Sequence, residues 1–259
     1  MNIVVLVKQV PDTESPRKLK SDDSTLDRAA ADGVINELDE YAIEEALRVK
    51  EAHGGEVTVL SLGPDKATDA IRRSLAMGAD KAVHLVDDAF AGSDALQTSY
   101  VIGQALGHTG FDLVVLGSES TDARTGVLAA MLAERLGVPQ LSLANKVEID
   151  GTAITIQRQT DYGHDRVEAT LPAVVSVVEK INEPRYPSFK GIMAAKKKPV
   201  ETLGAGDAGI DAGQVGLANA ATEVVDFAEA PPREKGQIVT DEGSGGTAIA
   251  DFLASKKFV

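Results

Sequence analysis

Before residue 140 the sequence repeats one beat four times: a short apolar run, then an amphipathic stretch closed by glycine. IVVLVK (3–8) is followed by DEYAIEEALRVKEAHGG (39–55), with Asp39 near the helix start and Gly54-Gly55 as the stop. EVTVLSLG (56–63) leads into PDKATDAIRRSLAMG (64–78), where Pro64 suits a first helical turn and Gly78 a C-terminal cap. KAVHLVDD (81–88) precedes SDALQTSYVIGQALGHTG (93–110), and FDLVVLGS (111–118) precedes TDARTGVLAAMLAERLG (121–137). Strand-helix alternation of this kind forces right-handed crossovers, so it predicts a parallel sheet with helices on both faces. Composition agrees. With 43% hydrophobic residues but only 4% aromatics and no Trp, the core must be built from Val, Ile, Leu and Ala, as in a helix-covered parallel sheet.

The pattern changes after Pro139. Residues 146–180 alternate, turn at Asp150-Gly151 and near Tyr162-Gly163, and end in the continuous apolar run PAVVSVV; this reads as antiparallel strands joining the same sheet system. From Pro199 the chain is rich in glycine and has six more acids than bases, with no long apolar run before DFLASKKFV. Such a segment cannot build a core alone. The organisation expected is an α/β domain over 1–181, a loop and lysine-rich helix over 182–198, and an arm over 199–259 laid on another subunit.

Several chemistries are excluded or disfavoured. A chain without cysteine has no disulfide, thiolate nucleophile or cysteine-held metal cluster, so a redox role needs a borrowed cofactor. A formal net charge of −14 argues against nucleic-acid binding, which needs a basic field. No run of about 18 apolar residues occurs and the N-terminus enters a strand at once, which reads as a cytoplasmic protein without membrane insertion. GAGDAG (204–209) matches the dinucleotide-binding glycine pattern literally, but it neither follows a strand nor opens a helix. His53, His84, His108 and His164 share no metal-ligand spacing and read as solvated structural residues. No nucleophile, base and orienter set is present, so catalytic residues are not expected.

The carboxyl ends of the strands are more informative, because open parallel sheets bind ligands there and helix N-termini offer N–H groups to anions. Strand one ends at Lys8-Gln9, strand two at Leu62-Gly63-Pro64, and strand four at GSESTDARTG (117–126). That last loop supplies small and hydroxylated groups able to approach a phosphate at the head of the next helix. An adenine nucleotide is the expected ligand, and an ordinary Ser/Thr/Asp helix cap is the competing reading.

One stretch runs against the acidic composition. NEPRYPSFKGIMAAKKK (182–198) gathers Arg185, Lys190, Lys196, Lys197 and Lys198 beside Tyr186, Phe189, Ile192 and Met193, with Pro184 and Pro187 stiffening the approach. Together with VKQV (7–10), NELDEYAIEEALRVKE (36–51), SLAMGADKAVH (74–84), LVVLGSESTD (113–122) and IQRQTDYGHDRVEATLPAVVS (156–176), it resembles the β subunit of electron transfer flavoprotein. The resemblance implies an α/β fold with a mixed sheet, similar to adenine nucleotide hydrolases, plus an extended C-terminal arm embracing an α subunit. It implies FAD held mainly by the α subunit, a structural AMP in this one, and a relay of electrons from acyl-CoA and related flavin dehydrogenases, as in fatty acid oxidation, to a membrane quinone oxidoreductase. AMP contacts would fall on Leu6, Asn36, Glu37, Leu38, Asp39 and Leu62, and on Gly117, Ser118, Glu119, Ser120, Thr121, Asp122, Ala123, Arg124 and Thr125. Partner docking would fall on Arg185, Tyr186, Phe189, Ile192, Met193, Lys196, Lys197 and Lys198, with Phe189 as the apolar anchor. Two alternatives stay open: an FAD-binding subunit of an electron-bifurcating flavoprotein, and a stand-alone adenine-nucleotide sensor.

Overall fold

In the computed structural model, residues 1–233, 235–236 and 238–259 are described. The four expected units form. The first strand, β1 (Asn2–Leu6), is joined to helix α1 (Glu37–His53) through the short strands β2 (Gln9–Pro11) and β3 (Gly33–Ile35), which pair antiparallel across an excursion over 12–32 that the periodicity did not reveal. Next come β4 (Glu56–Leu62) with α2 (Thr68–Met77), β5 (Lys81–Leu85) with α3 (Ala95–Thr109), and β6 (Leu113–Gly117) with α4 (Leu128–Leu136). Asp94 caps α3 in a reciprocal box, its side chain accepting from the Gln97 N–H while Gln97 returns a bond to the Asp94 N–H. Helix α4 begins at Leu128, well beyond Thr121, so the residues expected to open it form a loop instead; Arg124 and Gly126, with φ of 51° and 64°, are left-handed and break the helical path.

The main sheet has nine strands in the order β11-β5-β4-β1-β6-β10-β7-β8-β9. Strands β7 (Gln140–Asp150), β8 (Ala153–Thr160) and β9 (Gly163–Thr170) form the expected antiparallel meander. The last apolar run departs from that expectation. As β10 (Ala173–Val177) it enters between β6 and β7 and is parallel to both, with all five residues buried, which explains its unbroken hydrophobicity. Alternate strand residues feed two cores. One face packs Ile3, Val5, Val57 and Val175 under α1 and α2, and the other packs Val4, Leu60, Val114 and Val174 under α3 and α4.

Helix α5 (Phe189–Ala195) follows, capped by Ser188, whose Oγ accepts from the Gly191 N–H. The boundary expected at Pro199 is corrected: β11 (Val200–Leu203) extends the sheet parallel to β5, and Leu203, Ala205, Ala208, Ile210 and Val215 are buried in the second core. The compact unit therefore runs from Met1 to Glu223. GAGDAG, contrary to expectation, does follow a strand, β11, but it opens no helix and is part of this packing, with the Asp87 carboxylate accepting from the Ala205 N–H and Asp207 closing a turn onto the Gly204 N–H. A second unit covers Val224–Val259 and holds helix α6 (Gly245–Ser255), whose start is drawn in by Asp241 accepting from the Gly243 and Gly245 N–H groups. None of the residues of α6 is buried, and Ile249 and Phe252 face outward. Among the described residues, no helix is long and apolar enough to cross a membrane.

Candidate functional site

Strand order places β1 between β4 and β6, and the chain winds first to one side of β1 and then to the other. The crevice at the carboxyl ends of β1 and β6 is therefore the switch point where open α/β sheets bind ligands. It is organised by Asn36, which precedes α1 and is almost fully buried. Its Nδ2 donates to Asp39 Oδ1 at 2.9 Å and to the Glu119 carbonyl at 3.0 Å, while its Oδ1 accepts from the Thr121 N–H at 3.1 Å. One side chain thus ties the start of α1 to the β6–α4 loop. Asp39 Oδ2 accepts from the Lys8 N–H at 2.8 Å. Burial pushes the Asp39 carboxyl up to about 7, although Asn36 and the Lys8 and Gly117 N–H groups all favour its charged form. Both its oxygens are occupied by the protein, so it shapes the crevice.

Asp122 is the second organiser. Its side chain is 2% exposed and receives Lys8 Nζ at 2.8 Å and Arg28 Nη2 at 2.9 Å. Burial alone would raise this carboxyl, but the Lys8 charge and hydrogen bond outweigh it and hold it at about 2. Lys8 also reaches Ser120 Oγ at 3.3 Å. Arg28, contributed by the 12–32 excursion, was missing from the expected set; nothing in its local sequence marks it, because its partner lies 94 residues away. Leu6 is buried in the second core and Leu62 packs against it, Leu38 is half-buried and Glu37 is exposed. Ala123, Arg124 and Thr125 are exposed, as is Gly126 ahead of α4. Thr121 Oγ1 is buried without a hydrogen-bond partner among the described residues. His84, expected to be solvated, is instead buried with Nε2 3.1 Å from the Gly63 carbonyl, because β5 is an internal strand.

The 182–198 segment divides into anchors and a free face. Arg185 Nε meets Glu44 Oε2 at 2.7 Å, and its Nη1 meets Glu51 Oε1 at 2.6 Å. These bonds hold the Glu44 carboxyl below its usual range against the raising effect of burial. Asn182 adds bonds to the Tyr41 carbonyl and to Glu45. Arg185 therefore fastens the loop to α1, which corrects its expected place on the docking face. Lys198 is corrected too: its Nζ turns inward to the carbonyls of Leu75 and Ala79 at the end of α2, where cations are favoured, and burial lowers its pKa. Between these anchors the side chains project. Phe189 is 80% exposed and Tyr186 89%, with Ile192 and Met193 about half exposed. Lys196 and Lys197 are exposed and form no ion pair among the described residues.

A family model described as electron transfer flavoprotein domain matches residues 23–208, which hold the 182–198 segment, the nine-stranded sheet apart from β1, and the crevice apart from Leu6 and Lys8. The chain belongs to the electron transfer flavoprotein family. It is 53% identical over its whole length to the electron transfer flavoprotein subunit beta of Mycobacterium tuberculosis (strain ATCC 25618 / H37Rv), covering 99% of that protein. The subunit beta of Megasphaera elsdenii is 35% identical over 99% of this chain and 97% of its own, and that of Thermoanaerobacterium thermosaccharolyticum is 39% identical over 93% and 92%. The sequence resemblance to electron transfer flavoprotein β subunits and the α/β fold are thus established. A role in electron transfer, as a flavoprotein subunit, follows from that membership.

Proposed function

We propose that the chain is the β subunit of a heterodimer whose α partner holds most of the FAD, that it binds AMP structurally at the strand-end crevice, and that the 182–198 segment docks acyl-CoA and related flavin dehydrogenases. Electrons would pass through the flavin to a quinone oxidoreductase, and the segment from Val224 onward would embrace the α subunit. FAD supplies the redox chemistry when bound. This chain contributes the binding surfaces, the shape of the crevice and the exclusion of water from it.

The observation that carries the docking role is the exposure of Phe189 at 80% on a segment fastened at both ends by Arg185 and Lys198. A large apolar side chain held outward on a pre-organised loop loses little freedom on binding, and such residues make interface hot spots. For the nucleotide, the supporting features are the unpartnered Thr121 Oγ1 and the exposed hydroxyl and N–H groups of Thr125 and Gly126 leading to α4. Glycine is favoured at 126 by its left-handed φ of 64° and not by crowding, because a Cβ there would meet only the Ser118 carbonyl, at 3.9 Å.

The test is co-expression with an α subunit followed by a count of FAD and AMP in the purified complex. One of each is expected per heterodimer. Two FAD and no AMP would replace this reading with the bifurcating one, and AMP on a chain that binds no α subunit would replace it with the sensor.

A further inference from the structure

Beside the exposed Phe189 lies a groove of about 510 Å³ between α2 and α5. Its floor is Ala76, Pro187, Ile192 and Ala195, and Gly191 lets α5 seat directly on the Ala76 carbonyl. Its charged lining is Arg72, Arg73 and Lys196, with no acidic side chain. Arg72 Nη1 donates to the carbonyls of Ala195 and Lys198, and Arg72 forms no ion pair among the described residues. Arg73 engages Glu40 through Nε, at 2.6 Å. Lys196 forms no ion pair among the described residues. An apolar trough rimmed by three cations is out of keeping with a chain of net charge −14, and it sits on the same surface as Ile192 of the docking face. The groove between α1 and β7 differs: Glu45, Arg48, His53 and Lys146 give it mixed charge and no single complementary partner.

We infer that the α2–α5 groove is a second contact of the docking face and receives an acidic amphipathic segment of the partner protein, an aliphatic side chain lying on the floor and a carboxylate between Arg73 and Lys196. The inference rests on the docking role proposed for Phe189 and extends it by naming the chemistry of what lies next to the apolar anchor. Two contacts of different character on adjacent surfaces fix the orientation of a partner, which a single anchor cannot do. Selection would therefore favour partners with an acid next to the pocket that takes Phe189.

The experiment uses the complete FAD-loaded heterodimer and an acyl-CoA dehydrogenase that reduces it, measuring association and dissociation rates at low and high salt. Lys196→Glu and Arg73→Gln alter the groove. Lys197→Glu makes the same charge change as Lys196→Glu one residue away, on an exposed lysine outside the lining. Arg72 is left intact because it holds the end of α5, and melting curves confirm that each variant is folded. Both groove variants are expected to raise the dissociation rate about tenfold or more and to keep most of that effect at high salt, whereas Lys197→Glu slows association only and is screened. Groove variants that behave like Lys197→Glu, while Phe189→Ala still weakens docking, would overturn the groove and leave the docking role standing. A normal Phe189→Ala heterodimer would remove the docking role and the groove contact with it.

Discussion

Asp39 and Asp122 lie on the same crevice and titrate in opposite directions, which makes them separable by pH. The Asp39 carboxyl rises to about 7 in the fold against about 3.9 in an unfolded chain, so the folded state binds the extra proton and Asp39 costs stability progressively as pH climbs through that window. The cost approaches about 4 kcal/mol by the upper end. Asp122, held at about 2, contributes stability that is complete above about pH 4 and is lost as the pH falls towards 2. Urea unfolding of wild type and Asp39→Asn between pH 4 and 7.5 should therefore show the difference moving in favour of Asn as pH rises; a pH-independent difference would mean that Asp39 is an ordinary ionised carboxylate. Arg185 is the other decisive residue. Arg185→Ala leaves Glu44, whose side chain is 5% exposed, without its main partner, and should lower stability by about 2–4 kcal/mol while loosening the loop that carries Phe189.

At the scale of elements, the docking loop and the β6–α4 loop can each be tested alone. Phe189→Ala should weaken coupling to a dehydrogenase by about 2 kcal/mol or more and leave FAD content and spectrum intact. Because Phe189 is exposed, loss of flavin or of stability in this variant would contradict the structure as well as the docking role. Charge reversal of Lys197 should lower association rates in a salt-dependent way, whereas Lys198 belongs to the end of α2 and its reversal should chiefly destabilise the fold. In the β6–α4 loop, Thr125→Asp is the clean test of a bound phosphate. It adds like charge at an exposed position, and should lower the AMP content of the complex without affecting stability. Bulk at Gly126 is a poor test, since its left-handed φ would strain the loop whatever is bound.

For the whole molecule, the extent of the compact unit sets what folds without a partner. Hydrogen exchange on the isolated chain should protect residues 200–215, where β11 pairs with β5 and Ile210 and Val215 are buried. The segment from Val224 onward has only the exposed faces of α6 to offer and should gain protection in the complex with an α subunit. Equal protection of that segment in both states would remove the embracing role.

The sequence by itself determined the alternation of β and α, the aliphatic core, the strand ends of β1 and β6 that meet at the crevice, and the loop whose apolar and basic residues contradict the composition. These are local or periodic signals, since spacing of 2 and 3.6 and glycine stops are written in neighbouring residues. What only the tertiary structure decided was pairing at a distance. A continuous apolar run reads the same whether it ends a meander or slots between two parallel strands, so the place of β10 depended on β6 and β7. Arg28 needed Asp122, Arg185 needed Glu44 and Glu51, and Lys198 needed the end of α2 before any of them could be told from a solvated surface charge. The same holds for β11, whose short run VETL becomes a strand only by pairing along the side of β5 that β4 leaves open. A charged or short segment carries no record of its partner, because the Coulombic and hydrogen-bond energies that fix it exist only once the fold has brought the two together.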